Sequence, residues 1–181
     1  MEERIKKLIK PLIVFAAIVF LVCYLIKKPA TISDATSYLG YAISATSILF
    51  LVYEQWLWKY IPWNRPFIFK KQYSGRIEYI FGGEQHTKNV NVDIKQTLHF
   101  IGVQITSDIN KSKSITAEIV TENHGEVLYY TYQTDPTVMS QGNNPIQHGT
   151  CRMDLSSTGN TIRGKYWTSQ QTVGDIYWTE E

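Results

Sequence analysis

The 181-residue chain has only two cysteines, Cys23 and Cys151, which excludes a disulfide framework and a zinc site built on cysteine pairs. Its four histidines (His86, His99, His124, His148) lack ligand spacing, and no HExxH, GxSxG, Walker or GxGxxG pattern stands in a usable context. Glu118, Glu122 and Glu126 fall on strand edges or turns and read as solvated charges. No catalytic residue, metal ligand or cofactor is therefore expected. A large charge of one sign is missing too, with 18 Lys/Arg against 16 Asp/Glu. The imbalance is local: up to Gln72, ten basic residues against four acidic ones make +6, and beyond it eight against twelve make −4. Positive charge gathers around apolar segments and forms no stripe, which argues against duplex nucleic acid as a partner.

Two long apolar runs lie in the basic third. From Leu12 to Ile26 no residue is charged, and eleven of the fifteen are Leu, Ile, Val or Phe. At roughly −0.3 to −0.6 kcal/mol each, those eleven favour a bilayer by about 5 kcal/mol. Extended back to Leu8, the helix spans about 28 Å, close to the thickness of a hydrocarbon core. Lys10 can snorkel, and Pro11 suits a first turn. A cleaved signal peptide is the competing form, but Lys27, Lys28 and Pro29 follow in place of a small-x-small site. After a polar link with Thr31, Ser33 and Asp34, a second span begins near Tyr38 and ends among Trp56, Trp58, Tyr60 and Trp63, aromatics of the interfacial kind. The expected domains are a hairpin over 1–63 with spans about 8–26 and 38–58, a linker over 64–72, and a domain over 73–181. Basic residues before the first span (Arg4, Lys6, Lys7, Lys10) and after the second (Lys59, Arg65, Lys70, Lys71) outnumber the two in the link, which puts both termini in the cytoplasm. Gly40, Ser44 and Ser47 recur at helical spacing and make a face for homo-oligomer contact in the bilayer.

After Gln72, alternation replaces helical periodicity, with β-branched and aromatic residues broken by Gly, Asn, Asp and Ser clusters. Eight strands are predicted: 73–81, 89–98, 100–107, 114–121, 126–134, 148–155, 161–167 and 175–179. No intervening segment is long enough for a crossover helix, so an antiparallel meander follows, closed into a minimal up-and-down barrel that hides its edges. One parity supplies the core, including Ile77, Tyr79, Val92, Ile94, Ile115, Ala117, Ile119, Tyr130, Tyr132, Cys151, Met153, Tyr166 and Trp178.

The meander sends its longer connections, at 82–88, 108–113, 135–147 and 168–174, to the end away from the spans. Loops on a rigid scaffold commonly carry binding, so that mouth is the candidate ligand site. It offers Ser107, Lys111, Lys113, Tyr132, His148, Trp167 and Thr168, with Arg152 and Arg163 as further cations. A nucleotide would stack its base on an aromatic ring and set its phosphate against Lys or Arg. Two other readings stay open: a membrane-anchored carrier of the lipocalin kind, which needs a hollow interior, and a structural interaction module using the 135–147 loop.

The two-span start followed by a β-rich domain with HGTCRMDL (148–155), IRGKYW (162–167) and TVGDIYW (172–178) resembles the membrane effectors of bacterial CBASS anti-phage systems, the SMODS-associated two-transmembrane β-strand-rich family. The resemblance covers essentially the whole chain. It implies a barrel that receives a cyclic dinucleotide, subunits that then oligomerise, and spans that disrupt the bacterial inner membrane.

Overall fold

The computed structural model describes residues 2–28, 31–60, 67–123, 125–136, 146–155 and 161–180. His124, Trp63, Arg65, the start of the linker, most of the 135–147 loop and the 156–160 connection lie outside them. The chain divides into two compact units, residues 1–65 with Thr97–His99, and residues 66–96 with 100–181.

The first unit holds α1 (Glu2–Lys27), α2 (Ile32–Gln55) and a 3-10 turn (Leu57–Tyr60). Both helices contain a stretch long and apolar enough to cross a membrane, Ile9–Ile26 and Ile32–Gln55. Pro11 sits inside α1 and not in its first turn, because the Glu, Arg and Lys residues ahead of it are good helix formers and carry the helix outward. α2 likewise starts earlier than the expected Tyr38. Thr31 and Asp34 form a reciprocal capping box: the Asp34 N–H donates to Thr31 Oγ1 at 3.2 Å and the Thr31 N–H donates to Asp34 Oδ2 at 3.0 Å. These bonds satisfy orphan donors of the first turn, and what reads as a polar link becomes helix. The helices meet around Tyr38 and Ala42, both buried. Gly40, Ser44 and Ser47 are exposed, between about 140° and 200° around the helix from Ala42 at 100° per residue. Near the end of α2, Glu54 is buried and its Oε1 lies 3.1 Å from His99 Nδ1.

The second unit is a closed barrel of eight antiparallel strands, each hydrogen-bonded to its sequence neighbours and β8 to β1. The strands are β1 (Gln72–Phe81), β2 (Glu84–Gln96), β3 (Ile101–Thr106), β4 (Asn110–Glu122), β5 (Gly125–Pro136), β6 (Gln147–Asp154), β7 (Thr161–Thr168) and β8 (Val173–Glu180). The predicted up-and-down architecture is therefore present. Two strands, β2 and β4, begin well before the starts that the sequence suggests. Gly82 and Gly83, with φ of 62° and 87°, make a two-residue turn of the kind that matches strand twist. Pairing then continues to Phe81↔Glu84, and residues 84–88 are strand and not loop. In the same way β4 begins at Asn110, which brings Lys111 and Lys113 into its ladder.

The core parity holds with one correction. Ile115 is 61% exposed because β4 bulges there, its register jumping from Ser114↔Tyr132 to Thr116↔Thr131. The extra residue swaps the inward parity. Ser112 and Ser114 join the inward row before the bulge, Ala117 and Ile119 after it. Ser114 Oγ accepts the Val103 N–H at 2.9 Å, a side-chain substitute for a ladder bond.

Candidate functional site

The two ends of this barrel differ chemically. Where the chain enters, Phe67 and Phe69 pack edge to face with ring centroids 4.8 Å apart, and Phe69 is buried in the core cluster. Gln96 pins this segment with both ends of its amide, accepting the Phe69 N–H at 3.0 Å and donating to the Phe67 carbonyl at 2.8 Å. Lys70 N–H donates to Tyr73 Oη at 2.9 Å. The entry end is thus plugged by aromatic side chains. Above the plug, the buried side chains of Val92, Leu128, Cys151, Met153, Ile176 and Trp178 fill the interior, and Trp178 lies 6.0 Å from the Tyr73 ring and 6.2 Å from that of Tyr130. Packing of this kind is the usual content of an eight-stranded barrel, and it is not the hollow a lipid carrier requires.

The opposite end is more polar. The inward row Tyr73, Val92, Ile105, Ser112, Thr134 runs across five strands and climbs from apolar residues to a hydroxyl pair, with Ser112 Oγ and Thr134 Oγ1 2.8 Å apart. A second row joins Tyr130, Cys151, Tyr166, Gly174, Tyr79 and His86. At its β1–β2 end the Tyr79 and His86 rings stack at 5.4 Å and 26°. The row below contains Leu128, Met153, Gly164, Ile176, Ile77 and Lys88, so a lysine ends an otherwise apolar row. Burial pushes the Lys88 ammonium below its ordinary pKa, against which Asp108 pulls it back only in part. Burial also raises the Tyr132 and Tyr166 phenols far above neutrality, leaving both as neutral donors.

The sequence-named residues separate by parity. Tyr132 is buried in the inward row. Ser107 and Thr168 stand at the ends of inward rows, and both hold turns. Ser107 Oγ accepts the Asn110 N–H at 3.2 Å. Thr168 Oγ1 accepts from the backbones of Gln170 at 3.3 Å and Thr172 at 3.2 Å. Lys111, Lys113, His148 and Trp167 carry the outward parity and are exposed near the rim. Arg163 lies on the outer wall, where it and Arg76 both pack against the Tyr177 ring, 5.8 and 5.3 Å from its centroid. Arg152 is on that wall as well, donating to Glu122 Oε2 at 2.8 Å, Asp154 Oδ1 at 2.6 Å and Tyr129 Oη at 3.2 Å. Its guanidinium is held even more firmly protonated by Glu122 and Tyr129. Tyr79, His86 and Lys88 also stand at the mouth; from sequence Tyr79 is assigned to the core, and neither His86 nor Lys88 is named as a contact. Lys88 shares parity with Val90, Val92 and Ile94, and that signal was available; reading 82–88 as a loop concealed it.

Among the described residues, no group of three or more His, Cys, Asp or Glu gathers as a metal site would require. The barrel region, residues 69–180, matches a family model described as Cap15, cyclic dinucleotide receptor domain. Along nearly its whole length the chain is similar to CD-NTase-associated protein 15 of Staphylococcus schleiferi, 34% identical over 182 residues, with 97% of each chain covered.

Proposed function

The chain belongs to the Cap15 cyclic dinucleotide receptor family, and on that premise we propose that it is a CBASS effector whose barrel takes a cyclic dinucleotide at the open mouth and whose helices then compromise the bacterial inner membrane. The observation that carries this reading is the contrast between the barrel ends. Phe67 and Phe69 close one, while hydroxyls, an aromatic pair and a cation line the other. With the interior filled, a ligand of dinucleotide size lies across that mouth, against Tyr132 and the turns held by Ser107 and Thr168, with Lys111, Lys113, His148 and Trp167 at the rim.

α1 and α2 span the inner membrane with both termini in the cytoplasm, where a nucleotide messenger made after phage infection reaches the barrel. The face of Gly40, Ser44 and Ser47, directed away from the Tyr38 and Ala42 contact, is left for a second copy. Small residues let helices in a bilayer approach closely. Ligand drives assembly only as far as it binds the assembled form more tightly.

The test uses the full chain in lipid nanodiscs and in dye-loaded liposomes. Cyclic dinucleotide at about 100 times its Kd is expected to stabilise the fold by about 2.7 kcal/mol, to enlarge the oligomer and to release dye. A chain that binds no cyclic dinucleotide refutes the receptor role. Binding without assembly or leakage refutes the membrane half. Protease cleavage of the barrel from outside intact cells refutes the topology.

A further inference from the structure

The mouth contains a charge that the packing of the barrel does not explain. Lys88 lies on β2 with the parity of Val90, Val92 and Ile94, all buried, and its cross-strand partner Ile77 packs on the core cluster. Its side chain is half-buried, and among the described residues no carboxylate is within ion-pair distance of it. Outer-wall cations of the same unit are placed differently. Arg152 has two carboxylates, Arg76 has Glu78 at 2.9 Å, and Arg163 has an aromatic face. A half-buried ammonium with no carboxylate in ion-pair contact weakens the fold in which it sits. Burial accordingly lowers the Lys88 pKa, and the Asp108 field offsets that only partly. An anion entering the mouth would meet a cation already stripped of part of its water, the condition under which a charge-assisted hydrogen bond is strongest.

Two positions back on the same inward face stands His86, stacked on Tyr79. The rise between alternate residues of a strand is about 6.6 Å, a step of the order of that between a nucleobase and the phosphate of its nucleotide. We propose that Lys88 and the Tyr79–His86 pair form one nucleotide subsite, in which the ammonium holds a phosphodiester oxygen and the ring pair carries a base. This rests on the receptor reading and deepens it. The subsite commits the anchoring of the ligand to β1 and β2 and relieves the outer-wall arginines of that role. The ordinary alternative for such a lysine is snorkelling, with its stem on apolar surface and its head in water; a snorkelling lysine contributes nothing specific to ligand affinity.

Lys88→Met separates the two. The full chain in detergent micelles is titrated calorimetrically with a panel of cyclic dinucleotides of both 3′,3′ and 2′,3′ linkage at several salt concentrations. Lys88→Met is expected to weaken binding about 10- to 100-fold, the usual worth of a hydrogen bond to a charged group, and to flatten the salt dependence. It is also expected to melt no lower than the parent, since it removes a poorly solvated charge. Lys88→Arg keeps the charge and is expected to stay within a few-fold of the parent affinity. His86→Leu is expected to weaken binding about 10-fold through the lost stack with the salt dependence unchanged. A parent chain that binds no member of the panel overturns the receptor reading itself. A parent that binds while Lys88→Met binds equally well, with the same salt dependence, overturns the subsite and leaves the receptor reading standing. If Lys88→Met melts lower than the parent, Lys88→Arg decides: a folded arginine variant that has lost affinity more than 10-fold also overturns the subsite.

Discussion

Gly75 and Val90 face each other across β1 and β2 inside the barrel, and they offer a quantitative check on the packing. A Cβ at Gly75 would lie 2.7 Å from Val90 Cγ2, 3.2 Å from Val92 Cγ2 and 3.3 Å from the Tyr177 carbonyl oxygen. Carbon atoms prefer about 3.5 to 4.0 Å, so the valine must retreat by about 1 Å. Overpacking of this size costs about 1 to 3 kcal/mol, against about 0.4 to 1 kcal/mol returned by the stiffer unfolded chain. Gly75→Ala alone is thus expected to lose about 1 to 2 kcal/mol. Val90 is buried, and Val90→Ala removes two methyl groups and leaves a void, a loss of about 2 to 3 kcal/mol. Independent sites would make the double variant about 4 kcal/mol worse than the parent. Here the new methyl occupies the space the valine vacates, so the double variant is expected to lose only about 1 to 2 kcal/mol, a coupling of about 2 kcal/mol. Chemical denaturation of the detergent-solubilised chain, followed by near-ultraviolet circular dichroism, measures all four corners of the cycle. Additivity within about 0.5 kcal/mol would refute the β1–β2 register and inward parity on which the mouth is built.

Three further outcomes follow from the same geometry. Arg152→Ala breaks an outer-wall network whose side chains are about one-third to one-half exposed; it is expected to cost at most about 1 kcal/mol and to leave cyclic dinucleotide affinity unchanged in calorimetry, and a large affinity loss would return the binding surface to that wall. Cys151 is buried and its thiol pKa is pushed up to about 12 by burial; because alkylation needs the thiolate, iodoacetamide at pH 8 should leave the Cys151 peptide unmodified in mass spectrometry until the barrel unfolds, and rapid labelling of the native protein would contradict the packing. Gly40→Leu enlarges the exposed face of α2, where a Cβ meets nothing within 4 Å in the single chain; ligand affinity should persist while ligand-dependent crosslinking and dye release fall, and unchanged crosslinking would remove this face from assembly.

Much of the architecture is legible in the order of residues because it follows from periodicity. An uncharged run from Leu12 to Ile26 makes a helix of membrane length, and alternation with closely spaced turn residues makes a meander whose simplest closed form is the barrel observed. Local rules misplaced element ends where short-range chemistry outweighed hydropathy, at the Thr31–Asp34 cap and the Gly82–Gly83 turn. Other features depend on neighbours distant in sequence. The bulge that turns Ile115 outward exists in the pairing of β4 with β5, and the amide of Gln96 finds Phe67 and Phe69 about thirty residues earlier only once the ladder has formed. Lys88 illustrates the division best. Its charge is a property of the sequence, but its desolvation comes from closure, since a strand pattern states which residues share a face and only the finished cylinder makes one face an interior.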